Sequence, residues 1–312
     1  MALGGVEAGG PAPDPSGWTP PPREPAREPI DPPESDPRRS PEPGWRAWTA
    51  IVALLGGFVL ATVFGLLVDV PALALGVKLT ASQTPPGLAI ADTFVQDVAF
   101  VLAAVYCARL GGRRVRSWQF GLRRPGDGWR SAALMIGLLI VTFLVLSIVW
   151  SSVTSPEKEN LLKQLGSNEG TALLILSAGL TCVVAPICEE TLFRGYIFTA
   201  LRSWRGTLPA AIVTGLLFGA VHAGSAPALD LAPLALLGFG LCLLYRSTGS
   251  LYPGIIAHSI NNSIAFASLE EWNIAQSAVL LICALLVIGA LARGFQAIGL
   301  IEPSRSAAPA TA

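Results

Sequence analysis

Eight long apolar runs, at 50–68, 89–108, 131–151, 171–187, 209–222, 231–245, 253–267 and 274–292, constrain this chain more than any other feature of its sequence. A bilayer core ~30 Å thick takes about 20 apolar residues in a helix. Backbone in lipid must satisfy its own hydrogen bonds, and runs this long do so as helices rather than as barrel strands. They predict an all-α, polytopic membrane protein with about eight transmembrane helices. Composition agrees, with 52% hydrophobic and 13% charged residues and a mean hydropathy of +0.57. Soluble domains carry about a quarter charged residues. The second run is the least typical, because it contains Asp92, Gln96 and Asp97.

Charge placement tests that count. With a cytoplasmic N-terminus and alternating spans, all 18 arginines fall on the cytoplasmic side, seven of them between Arg109 and Arg130. The opposite side holds Lys78, Lys158 and Lys163, with Glu157, Glu159, Glu169, Asp230, Glu270 and Glu271. A bias of 18 to 3 is the positive-inside pattern and predicts both termini in the cytoplasm. Thirteen of the 25 prolines precede Trp45, among scattered charges and few large aliphatics. Such a segment cannot bury enough apolar area to offset its chain entropy. Residues 1–45 are therefore read as a disordered, Pro-rich cytoplasmic tail, 46–298 as the transmembrane domain and 299–312 as a second disordered tail. The basic 109–130 segment is read as a cytoplasmic loop beside anionic lipid. With a formal net charge of zero, no nucleic-acid partner is indicated. Cys107, Cys182, Cys188, Cys242 and Cys283 stand singly among apolar residues and read as buried packing groups.

Ionisable side chains inside a membrane are costly and persist where they pair or line a polar cavity. Glu189 and Glu190 are adjacent, and Arg194 follows Glu190 by four residues. On a helix that spacing puts Glu190 and Arg194 face to face, while Glu189 points about 100° away and keeps its carboxylate free. The apolar residues on either side predict that this helix is still in or near lipid, with Pro186 as a kink. The only two histidines, His222 and His258, both lie in apolar runs, and Asn262 stands one turn after His258. Carboxylate and imidazole together offer a base near neutral pH and donors for a developing oxyanion. His258 lies about 9 Å along its helix from Tyr252 and His222 about 20 Å from Leu208, so the two are level only if the helices tilt or start late. No GxSxG, HExxH, Walker loop or GxGxxG is present. Water is left as the attacking group, with or without a metal.

Three motifs in order, EETLFR (189–194), FGAVH (218–222) and HSINN (258–262), resemble the CAAX prenyl protease and bacteriocin-processing intramembrane peptidases, the Abi or CPBP family. The resemblance covers about 171–270. It implies that Glu189 activates water with help from His222, that His258 and Asn262 stabilise the oxyanion, and that Glu190 and Arg194 support the site. It also implies that Glu189, His222 and His258 are the ligands if a divalent metal such as zinc is used. A metal-free glutamate mechanism is equally open. Eukaryotic relatives trim prenylated CAAX proteins. Here the preference for Arg over Lys and the richness in Ala and Gly point to a GC-rich bacterial genome. The expected setting is a bacterial plasma membrane, with a peptide or membrane-protein segment as substrate. Two other classes compete: a non-catalytic scaffold or bacteriocin-immunity factor, and a proton-coupled transporter. The transporter is the weaker, because no repeated half with paired Gly/Pro-broken helices is visible.

Overall fold

The computed structural model describes residues 43–80, 84–110, 115–154 and 164–301. The two tails before residue 43 and after 301, Arg113 and Arg114 of the basic segment, and Lys158 and Lys163 lie outside the described residues. Each of the eight apolar runs is a helix, and no strand occurs among the described residues. In chain order they are α1 (Trp48–Ala74), α2 (Pro86–Ala108), α3 (Gly128–Thr154), α4 (Thr171–Arg205), α5 (Thr207–Val221), α6 (Leu231–Thr248), α7 (Tyr252–Leu269) and α8 (Ile274–Ala297).

Among the described residues, six of these helices are long and apolar enough to cross a membrane. The other two are α5 and α7, the pair that carries the histidines. With 15 residues α5 is short, and α7 is diluted by His258, Asn261 and Asn262. The outer faces of α1, α3 and α8 leave Leu55, Val59, Leu67, Leu138, Ile148 and Leu286 exposed, a face suited to lipid rather than water.

The largest departure from the expected boundaries is α4. The apolar run ends at 187, yet the helix continues to Arg205. Its second half is its most buried part, with Leu192, Phe193, Arg194, Tyr196, Ile197 and Phe198 all fully enclosed. Two of the charges there, Glu190 and Arg194, are paired with each other inside the fold. Two stretches widen into π-helix, Leu180–Val184 and Thr191–Phe198. Pro186 accounts for the first, since it has no N–H to give the carbonyl of Cys182. That carbonyl instead accepts from the Ser259 hydroxyl at 2.7 Å, and the Thr181 carbonyl accepts from the Asn262 amide at 2.9 Å. Thus α7 is stitched to α4 at the place where the α-helical ladder breaks.

Helices α5 and α6 meet along a glycine seam. A Cβ on Gly219 would lie 2.5 Å from the Leu231 carbonyl oxygen, and one on Gly215 would lie 2.7 Å from that of Ala235. Backbone cannot retreat as a side-chain tip can, and small residues are what let membrane helices approach this closely. Gly219→Ala is expected to cost about 1–3 kcal/mol, measured as a lower melting temperature in detergent. Gly289→Ala on α8, whose Cβ would meet nothing within 4 Å, is the matched control and should melt no lower than the wild type.

Candidate active site

Between its two π-helical stretches α4 holds one short α-helical segment, Ala185–Glu190, which ends on the paired glutamates. Their side chains have different surroundings. Glu190 is fully buried and its Oε1 has two partners, Arg194 Nη1 at 2.7 Å and His258 Nδ1 at 3.1 Å, while Arg194 Nη2 reaches on to the Gly238 carbonyl at 3.0 Å. The Arg194 guanidinium also lies 4.5 Å over the Phe218 ring, a cation–π contact in a desolvated setting. Gly254 is needed opposite, because a Cβ there would stand 2.8 Å from Glu190 Oε2.

Glu189 is the less enclosed of the two, with 16% of its side chain exposed. Its Oε2 is buried without a hydrogen-bond partner. Both histidines converge on that atom, His222 Nε2 at 4.0 Å and His258 Nε2 at 3.9 Å. Helices α5 and α7 start at Thr207 and Tyr252, so no late start levels the histidines, and the convergence comes from how the two helices pack.

The other ring nitrogen of each histidine is committed. His222 Nδ1 lies 2.7 Å from the Phe218 carbonyl, which can only accept, so Nδ1 carries the proton. His258 Nδ1 faces the Glu190 carboxylate in the same way. In the neutral rings both Nε2 atoms therefore present lone pairs towards Glu189. An oxygen acceptor behind each imidazole fixes its tautomer and orientation.

Asn262 sits beside this cluster on the same cavity wall, one amide hydrogen spent on Thr181 and its Oδ1 accepting from Asn261 Nδ2 at 3.2 Å. Its second amide hydrogen remains for the cavity. All six residues singled out from the sequence are thus brought into one neighbourhood, in which Glu190 and Arg194 are sealed and Glu189, His222, His258 and Asn262 line the cavity. The cavity holds about 550 Å³. Sequence reasoning assigned no site role to four of its other polar residues: Gln96 and Asp97 of α2, Ser147 of α3 and Asn261 of α7. The signal for the first two was present, as polar residues in an otherwise apolar run.

Glu189, His222 and His258 are donors of the kind zinc takes. Ligand distances near 2.0–2.1 Å and tetrahedral angles place such donors about 3.3 Å apart. The observed 3.9 and 4.0 Å are wider, and among the described residues no group of three His, Cys, Asp or Glu has metal-site spacing. As placed, the three donors do not fit a shared ion. A water set between Glu189 Oε2 and one imidazole Nε2 bridges a separation of this size with hydrogen bonds of about 2.8 Å, giving one hydrogen to each.

Fold and site together define a class: a polytopic helical membrane protein with a glutamate and two histidines converging in a cavity between its helices. Residues 171–264 match the family described as Type II CAAX prenyl endopeptidase Rce1-like. The likeness read from the three motifs therefore holds over the segment that carries all six residues. The chain is similar to "Putative membrane peptidase YdiL" of Bacillus subtilis, 33% identical over 110 residues, or 34% of this chain and 41% of that protein. It is 28% identical over 143 residues to an uncharacterized 24.3 kDa protein of Escherichia coli, covering 44% of this chain and 61% of the relative. It is 25% identical over 218 residues to UPF0177 protein YaiF of Lactococcus lactis, covering 67% and 95%. The matches to the first two relatives span less than two thirds of their length. No solved structure matches.

Proposed function

We propose that this protein is an intramembrane endopeptidase of the CAAX-protease type that hydrolyses a peptide bond with water activated by Glu189. The observation that carries this reading is the convergence of two tautomer-fixed Nε2 atoms on Glu189 Oε2, which is buried without a hydrogen-bond partner. A water in that gap gives a proton to the Glu189 carboxylate as its oxygen attacks the scissile carbonyl, with His222 Nε2 orienting it. The resulting oxyanion is met by the free amide hydrogen of Asn262 and by His258 when its Nε2 carries a proton. Glu189 then returns the proton to the leaving amine, so one water is consumed and one C–N bond is broken. Glu190 and Arg194 hold His258 without reacting.

The likeness to the CAAX endopeptidase family and to a relative named as a membrane peptidase supports the reaction class. The bacterial origin of the relatives supports a plasma-membrane location, and the arginine distribution supports cytoplasmic termini. Purified full-length protein in detergent, assayed against a library of membrane-spanning peptides, should cleave a subset of them. His222→Ala should lower that rate by roughly 10²-fold or more with no change in melting temperature. Cleavage by His222→Ala at the wild-type rate would remove the site assignment. A phenotype in cells that survives loss of all cleavage would favour the scaffold.

A further inference from the structure

The polar residues of α2 form a stripe. Thr93, Gln96 and Asp97 are spaced i, i+3, i+4, so they share one helix face, and all three line the cavity that holds Glu189. Thr93 returns its hydroxyl to the Ala89 carbonyl at 2.9 Å. Asp97 has no such outlet. It is 2% exposed and its Oδ2 is buried without a hydrogen-bond partner. An unpaired carboxyl in such a place is expensive, and inside a membrane it marks a group awaiting a partner.

The rest of the wall decides what that partner is. Besides Asp97, the cavity is lined by the acids Glu189 and Asp230, and no Lys or Arg lines it among the described residues. The Arg194 guanidinium is buried, paired with Glu190, and no part of the wall. The two histidines turn their protonated Nδ1 atoms away, to the Phe218 carbonyl and Glu190. Asp97 and Glu189 stand on the wall of the same cavity. Low-dielectric walls of one sign focus their field on whatever enters.

We propose that the cavity binds peptide segments bearing a Lys or Arg side chain beside the scissile bond, and that Asp97 receives that cation. This rests on the peptidase reading for its meaning, though not for its chemistry. The cation satisfies the unpaired carboxyl through a charge-assisted hydrogen bond. A segment bearing a carboxylate at the same place, whether a Glu side chain or a free C-terminus, meets the carboxyls of Asp97 and Glu189 and, among the described residues, no Lys or Arg on the cavity wall.

Matched fluorescent peptides of Ala and Leu, about 20 residues long, would carry one variable residue, Lys, Arg, Gln or Glu, walked along the sequence. Cleavage sites would be read by mass spectrometry. The full-length protein should cleave the Lys and Arg peptides with kcat/KM about tenfold above the Gln peptide, and the Glu peptide should be poorest; tenfold corresponds to about 1.4 kcal/mol. Asp97→Asn should reduce the Lys-to-Gln ratio to within about twofold, and Asp97→Glu should restore it. Equal rates, a preference for Glu, or an Asp97→Asn variant that slows every peptide by the same factor would each overturn the proposal. If Asp97→Asn does not fold, the wild-type order of Lys, Gln and Glu decides alone. Binding of the same peptides to Glu189→Gln, by anisotropy, separates this proposal from the peptidase reading. Tighter, Asp97-dependent binding of the Lys peptide without any cleavage by the wild type would uphold the cation site and end the peptidase. No difference in binding would end the cation site.

Discussion

Glu189→Gln is expected to lower the rate of peptide cleavage by roughly 10²- to 10⁴-fold, the range seen when a general base is removed, while the protein melts no lower than wild type. The substitution keeps the shape of the side chain and removes its charge. Little is lost in folding, because Glu189 Oε2 has no hydrogen-bond partner to lose. Removing an uncompensated carboxylate from a largely buried position is neutral or stabilising. The expected pair of results, activity lost and stability kept or raised, is one that a structural carboxylate cannot produce. A Glu189→Gln variant that melts well below wild type would show that the carboxylate holds the fold. One that still cleaves would show that the base lies elsewhere. Melting curves in detergent beside single-turnover cleavage make the comparison.

Arg194→Leu should have the opposite profile. Arg194 is fully enclosed, paired to Glu190 at 2.7 Å, bonded to the Gly238 carbonyl at 3.0 Å and set over Phe218. Its removal strands the Glu190 carboxylate and leaves His258 the only partner of Glu190. Breaking a buried pair in this way costs about 3–5 kcal/mol, enough to unfold a protein of ordinary stability. Because Glu190 positions His258, any surviving protein should also have lost most of its activity. Replacing both members, in Glu190→Gln with Arg194→Met, should recover part of the stability lost in Arg194→Leu, since no charge is then left unpaired. A double variant no more stable than the single one would show that the hydrogen bond to α6 and the contact with Phe218, rather than the ion pair, carry the effect. Thermal and chaotrope melts of the three proteins decide it.

Much of the architecture was legible because lipid imposes a simple demand on length and polarity. All eight runs became helices, and their starts were read to within a few residues. The end of α4 was read only in part, since the apolar residues after Glu190 pointed to a helix still in or near lipid but set no end for it. The run of apolar residues stops at Glu189, but the helix goes on for 15 residues beyond Glu190, with Arg194 paired to Glu190 inside the fold. The pairing of Glu190 with Arg194 followed from helical spacing alone. The convergence of His222 and His258 did not, since it depends on how α5 and α7 run relative to α4, and that is set by contacts no local pattern encodes. Asp97 was visible as an oddity and not as a member of the site. It lies 92 residues before Glu189 in the chain, and only the packing of α2 on α4 brings the two together.

The short length of α5 has a consequence for how a buried hydrolysis is supplied. Its 15 residues span about 22 Å, less than the ~30 Å of hydrocarbon in a typical bilayer. The shortfall of about 8 Å has to be met by a locally thinned membrane or by solvent descending to the end of the helix. His222 stands at that end, with exposed Gly224 and Ser225 following it. The truncation sets His222 beside exposed residues at the helix end, where a thinned membrane or descending solvent brings bulk water, the one reagent that lipid withholds, closest to the imidazole.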